Sequence, residues 1–259
     1  MQGRSPVQTC LLGCLGLFLF FVVAVVIGFP ILIKARMAEN TTCASNLEQL
    51  GLAFMQYEQD YDGQLPKGTM PGSPGAGWGG QLYPYVKSAY VYICPQDSNP
   101  SGYQTGSFPI SYGYNANAAG RRIKDFSNPK RTVLLFETHG SDTYVISGVD
   151  GKNPTQEYSP AGNGLDGGLY CLANKGSGPI QYATGWIGGR PPTRPTQFQS
   201  YNGRHEGGAN YLLADDHVVW LMPGRVSSGT DATGSRAAQT ADHAAGTQNP
   251  AFAATFSVR

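Results

Sequence analysis

Charge is scarce in this chain. Only 14% of its 259 residues are Asp, Glu, Lys or Arg, and the formal net charge is +1. A nucleic-acid-binding role needs a concentrated basic face, so this composition argues against one. Catalytic signatures are missing as well. No HExxH, no GxSxG and no GxxxxGK[ST] motif occurs, which removes the common zinc-hydrolase, serine-hydrolase and P-loop nucleotide-binding classes. Cysteine is limited to five. Cys10 and Cys14 fall in an apolar run and read as small apolar residues. Cys43, Cys94 and Cys171 fit an oxidising compartment, but three thiols cannot pair completely; Cys94 with Cys171 is the preferred pair, and spacing alone leaves connectivity open.

What is abundant is apolar sequence at the N-terminus. From Leu11 to Ile33 there is no charge, and Arg4 is the only charged residue before Lys34. A helix needs about 20 apolar residues to cross the hydrocarbon core, so residues 1–8 read as a short lead and 9–33 as a transmembrane helix. The run is too long for a cleaved signal and ends in IKAR, with no small-residue cleavage site. Arg4 before it and Lys34 with Arg36 after it mildly favour an N-out orientation. Pro30 removes one helical hydrogen bond and predicts a kink, while Cys10, Gly13 and Gly16 form a small-residue stripe against which another helix can pack.

Residues 34–63 read as an amphipathic continuation of that helix. Cys43, Leu47, Leu50, Phe54, Tyr57 and Tyr61 recur every three or four positions, with Asn46, Glu48, Gln49, Gln56, Glu58 and Gln59 opposite. Gly63 and Pro66 mark the end. Together the two segments predict one nearly continuous helix of about 50 residues, on the order of 80 Å.

The rest is rich in Gly (35), Pro (18) and Tyr (15), a mix that suggests a loop-rich domain of the kind common outside the cytoplasm. Residues 64–224 read as a globular β domain, opening with a connector over 68–80 and a short helix or turn at Leu82 to Val86. Brief strands are expected near Val91 to Cys94 and in ISYGYNAN, and Thr132 to Phe136 reads as a central strand. Residues 140–200 form a Gly-rich surface insertion. Ala209 to Ala214 and His217 to Leu221 read as a hairpin around Asp215 and Asp216. Residues 225–259 read as a poorly ordered tail with an edge strand in AFAATFSV.

Candidate chemistry concentrates at that hairpin, where His205, Glu206, Asp215, Asp216 and His217 gather. No set of ligands with an open position is apparent, so His205 and Asp215 read as structural, hydrogen-bonded across or beside the turn, and no enzyme activity is expected. Glu137 and His139 follow the central strand and read as a surface-satisfied pair. No cofactor is expected. Asp142, Asp150, Asp166 and Asn163 offer oxygens in the insertion for calcium, the one cation implied by the resemblance given below, but no spacing among them resembles a known cage.

GFPILIKARMAENTTCASNLEQLGLAFMQYEQDYDGQLP resembles the N-terminal region of type II secretion G-like pseudopilins. YVKSAYVYICPQD and SYGYNAN resemble the family's middle motifs. His205, nine intervening residues and Asp215 resemble the His-x9-Asp-Gly box of prepilin-type processing-associated proteins, a domain of unknown function common in planctomycete-type bacteria. The likeness covers residues 28–140 and 201–222. It implies an α+β, pilin-like fold, a long N-terminal helix with a membrane-spanning first half packed on an antiparallel β-sheet. It also implies a structural or assembly subunit of a type II secretion or related envelope system. The partners implied are the lipid bilayer and other pilin-like subunits, and the place is the bacterial inner membrane with the globular domain extracytoplasmic, in conflict with the N-out orientation that the flanking charges mildly favour, or a periplasmic or surface filament.

Four positions depart from the family pattern. Gln8 stands at the leader glycine, Thr9 at the methylated phenylalanine and Gly13 at the glutamate whose carboxylate neutralises a neighbour's N-terminal amine. Asp216 stands at the glycine of the box. The first three favour the alternative role, a non-polymerising membrane-anchored extracytoplasmic binding module.

Overall fold

The computed structural model describes residues 6–67, 77–98, 108–139, 142–143, 159–165, 167–169, 180–189, 191–193 and 195–259, with side chains of helix α1 (Pro6–Asp60) described at 15–27 and from 41 onward. The chain divides into two compact units, Met1–Thr41 and Thr42–Arg259.

In the first unit the described side chains are apolar and exposed on every side of the helix. Leu17 is 72% exposed, Phe20 72%, Phe21 71% and Val26 64%. The expectation of a long helix with a membrane-spanning first half is nonetheless corrected: among the described residues no helix is long and apolar enough to cross a membrane. The side chains of Gln8, Thr9 and Gly13 lie outside the described residues.

The expected antiparallel sheet is corrected too. The second unit carries a mixed six-stranded sheet built from β2 (Tyr112–Asn115), β3 (Val133–His139), β5 (Ala161–Gly162), β6 (Gln181–Tyr182), β7 (Ala209–Leu213) and β8 (Val218–Leu221). The order is β5-β2-β3-β7-β8, with β6 also on β3, and β5 runs parallel to β2. Two short pairs lie outside it: β1 (Phe108–Pro109) with β4 (Asp142–Thr143), antiparallel, and β9 (Val226–Ser227) with β10 (Ala254–Thr255), parallel. The sheet is mixed because β5 pairs parallel to β2; β5 and β6, which pairs antiparallel with β3, both come from the Gly-rich region read as surface insertion. Too short to show a two-residue period, they join by backbone pairing alone. The segment expected to be a strand at Val91 to Cys94 is instead a 3-10 turn, Ala89–Tyr92.

β3 is central because VLLFET is buried throughout, as a strand flanked on both sides and covered on both faces must be. Its alternation separates two cores. On one face Leu135 packs with Leu47, Leu50 and Phe54 of α1, Trp78 of α2 (Trp78–Val86), and Tyr112, Tyr114 and Leu212. On the other, Phe136 packs with Tyr182, Phe198, Tyr211 and Phe256. Gly113 pairs with Phe136, whose ring occupies the place of a side chain: a Cβ there would lie 2.6 Å from it. Tyr57 is buried with the helix stripe, whereas Tyr61 falls beyond the helix end, is 52% exposed and stacks on Tyr57 at 4.1 Å. The stripe stops one turn earlier than periodicity suggests because Asp62 and Gly63 turn left-handed, at φ 55° and 76°.

The tail, expected to be poorly ordered, is packed. Ala244, Ala245, Ala254 and Phe256 are buried, and Thr255 bridges Thr132 beside β3. Asn115 Nδ2 donates to both Val133 O and Phe256 O, at 2.7 and 2.9 Å. Small Ala, Ser and Thr side chains let the backbone approach closely, and hydrogen bonding replaces regular strand structure.

The β7–β8 connection is a tight turn closed by Asp216 N to Leu213 O and Leu213 N to His217 O, at 3.0 and 2.8 Å. It is a three-residue hairpin loop whose last position must be left-handed; Asp216 occupies it at φ 69°. Asp216→Gly is therefore expected to stabilise the unit by about 0.5–1 kcal/mol. Burial, then the Asp215 charge, pushes the Asp216 carboxyl up to about 6, and burial, then Asp216, pushes Glu58 up to about 7. A raised carboxyl binds its proton more tightly folded than unfolded, so its cost grows as pH rises from the ordinary carboxylate range to the folded value. The gain from Asp216→Gly should thus be larger at pH 8 than at pH 4.5 in thermal melts; an equal or smaller gain at pH 8 would contradict the assignment.

Candidate functional site

A buried charged cluster sits where β3 ends against α1. Glu137 lies inside an apolar strand, on the same face as Leu135 and paired across the sheet with Tyr112, and it is 0% exposed. Its partner comes from the segment before β7. There Glu206 and Gly207 both take positive φ, 53° and 92°, and His205 and Gly208 exchange backbone hydrogen bonds of 2.9 and 3.1 Å. This is a two-residue hairpin turn of the primed kind. Trp220 of β8 fixes it further, donating Nε1–H to His205 O at 2.8 Å.

So held, the His205 ring points at Glu137, with Nε2 2.7 Å from Oε1 and both side chains 0% exposed. With the proton on Nε2 this is a donor to a carboxylate, and the same Oε1 accepts from Asn210 Nδ2 at 3.2 Å. Glu137 Oε2 and His205 Nδ1 are buried without hydrogen-bond partners among the protein atoms. Burial, then the Glu137 charge, raises the hydroxyls of Tyr112 and Tyr211 well above the ordinary phenol value, so both stay protonated.

Arg204 and His205 each meet an acid. Arg204 Nη2 lies 3.1 Å from Asp97 Oδ1 and donates to Thr138 O at 2.6 Å. His139 Nδ1 lies 2.5 Å from the same Asp97 oxygen. Burial alone would raise Asp97; the His139 hydrogen bond and the Arg204 charge outweigh it and hold the carboxyl below its ordinary value.

The third component is a disulfide. Cys94 is bonded to Cys43 of α1, with Cα atoms 4.9 Å apart, so Cys94 is not available to Cys171, which lies outside the described residues. The preferred pairing is corrected for a geometric reason: the short turn at Ala89–Tyr92 lies along α1, and Asn46 Nδ2, one turn on from Cys43, donates to Ile93 O at 2.8 Å. Cys94 Sγ lies 3.6 Å from His205 Nε2. Among the described residues, Cys43, Cys94 and His205 form one group able to hold a metal ion, their ligand atoms all within 4.8 Å of one another.

His205 and Asp215, expected to hydrogen-bond across or beside the turn, lie at opposite ends of β7, and His205 bonds Glu137 away from the β7–β8 turn. Asp215 pairs with exposed His217 at 2.7 Å, leaving Asp216 to the turn. Of the residues weighed for calcium, Asp150 and Asp166 and the side chain of Asp142 lie outside the described residues, while Asn163 Oδ1 accepts from Leu165 N at 3.1 Å. The reading of Glu137 as surface-satisfied is corrected, since it is fully buried. Asp97, Arg204 and Asn210 were not singled out by sequence; the available signal was a lone acid inside VLLFETH in a chain so poor in charge.

The side chains of Glu137 and His205 are sealed from solvent. What the arrangement does is tie α1, the 94–97 segment, β3 and the 203–208 turn together. No curated protein matches the chain, and neither does any solved structure. A family model described as "Protein of unknown function (DUF1559)" matches residues 34–186, a span that includes Cys43, Cys94, Asp97, Glu137 and His139 and stops before Arg204 and His205. The chain belongs to the DUF1559 family.

Proposed function

We propose that this chain is a pseudopilin-like structural or assembly subunit of a type II secretion or related bacterial envelope system, attached through its N-terminal helix and folded on the extracytoplasmic side. The observation that carries the reading is the apolar, all-round exposure of residues 15–27. A helix apolar on every side is stable only when lipid or other helices cover it. The buried Cys43–Cys94 bond supports an oxidising compartment. A non-enzymatic role is supported by a cluster of charges sealed from solvent.

The test compares the full chain with residues 42–259 in cell fractions. The full chain is expected in the membrane fraction after an alkaline wash, with Cys43 and Cys94 resisting alkylation, and the shorter form in the soluble fraction. A full chain that remains soluble and monomeric without detergent sinks the proposal.

A second reading is favoured by one observation. Gly13 replaces the carboxylate that assembly chemistry wants, which supports a non-polymerising, anchored binding module. A cleft of about 360 Å³, lined in part by Leu165, Ile187, Phe198, Gln239 and Asp242, is its candidate ligand site. Detergent-extracted chain that stays monomeric and cross-links to no sister subunit in cells selects this reading over the first.

A further inference from the structure

We propose that Cys43, Cys94 and His205, with Glu137, form a closed structural site for a soft divalent metal of the zinc type when the disulfide is reduced. The argument is independent of the envelope role.

Disulfide and metal are alternative states of the same two cysteines. Reduction by a dithiol transfers two electrons and two protons to the Cys43–Cys94 bond, giving two thiols and an oxidised dithiol. The metal then displaces both thiol protons and binds two thiolates. His205 supplies the third ligand through Nε2, 3.6 Å from Cys94 Sγ, once the Nε2 proton donated to Glu137 in the oxidised state moves to Nδ1. Two ligands on a tetrahedral zinc, at about 2.3 Å for sulfur and 2.0–2.1 Å for nitrogen, stand about 3.5 Å apart. All three ligand atoms fall within 4.8 Å of one another. The carboxylate closest to the fourth position is Glu137, whose Oε1 is 2.7 Å from the same Nε2 and whose Oε2 is buried without a protein partner.

The scaffold is preset by four separate elements. Tyr112 donates to Cys43 O at 3.2 Å, Asn46 to Ile93 O at 2.8 Å, Trp220 to His205 O at 2.8 Å and Asn210 to Glu137 at 3.2 Å. Such contacts hold ligands in place whichever occupant is present. Two sulfurs, a nitrogen and an oxygen around a dry centre suit zinc, and four protein ligands leave no open position, so the site is structural.

The test uses the full chain, reduced anaerobically with a phosphine and titrated with Co²⁺. One ion per chain should bind with tetrahedral ligand-field bands and a thiolate-to-cobalt charge-transfer band, and one equivalent of Zn²⁺ should abolish both. The oxidised chain should show neither. His205→Gln should weaken binding at least tenfold while keeping the thiolate band, and Glu137→Gln should weaken it about tenfold. Circular dichroism follows folding throughout. If the reduced chain loses its fold, recovery on adding Zn²⁺ supports the site and failure to recover overturns it. No Co²⁺ uptake by the reduced chain, equal uptake by the oxidised chain, or unchanged affinity in His205→Gln also overturns it.

Discussion

Replacing both Cys43 and Cys94 by alanine is expected to cost the folded unit about 4 kcal/mol. The bond closes a loop with a sequence separation of 51, and the chain entropy released to the unfolded state grows with the logarithm of that length. The loss appears in urea unfolding as a lower midpoint. The denaturant slope should rise, since an uncrosslinked unfolded chain exposes more surface. A midpoint shift equivalent to less than about 1 kcal/mol would mean that the unfolded chain stays compact around α1 without the bond. A single Cys43→Ala change loses the same loop closure and leaves one buried thiol beside His205, so the single and double variants should agree closely. Both variants are also unable to bind metal through these positions, which keeps this measurement separate from the cobalt titration.

Arg204→Met is expected to be comparably severe, at about 3–5 kcal/mol. Arg204 and Asp97 are 4% and 1% exposed, so removing the guanidinium leaves a buried carboxylate with only His139 opposite it. The double variant Asp97→Asn with Arg204→Met should recover most of the loss, because the unpaired charge is what costs. The same pair sets an acid limit. Asp97 is held below its ordinary value in the folded state, so its contribution is fully present above the unfolded carboxylate value of about 3.9 and is lost as pH falls through the lower folded value. Stability curves of the native chain and of Asp97→Asn should accordingly converge below about pH 3.9. A constant gap between them over the whole acid range would show that Asp97 acts by packing and not by charge.

The residues show which parts of this architecture can be read from sequence. Leu47, Leu50, Phe54 and Tyr57 announce the buried helix face by their spacing, and the face is legible because periodicity is local. The β7–β8 hairpin is legible for the same reason: alternation on both arms and two aspartates between them. β5 and β6 carry no pattern, being two residues each in Gly-rich surroundings, and only the strands they meet define them. The tail misleads because Ala, Ser, Thr and Gly compose disordered segments and closely packed ones alike; buried Ala244, Ala245 and Thr255 distinguish the two only in three dimensions. At the site, Glu137 was noticed and its burial was not, since its partner His205 is 68 residues away. Cysteine pairing failed for the same reason: connectivity is a fact of packing, and no count of thiols supplies it.

The packing of residues 254–258 also orders events in time. Phe256 belongs to one core and Val258 to the other, Val258 O accepts from Ser127 N at 2.9 Å, and Thr255 bridges Thr132, the residue before β3. These residues are synthesised after everything they pack against. Both cores therefore stay open until translation has passed Val258, and the unit has no finished interior while earlier segments are emerging.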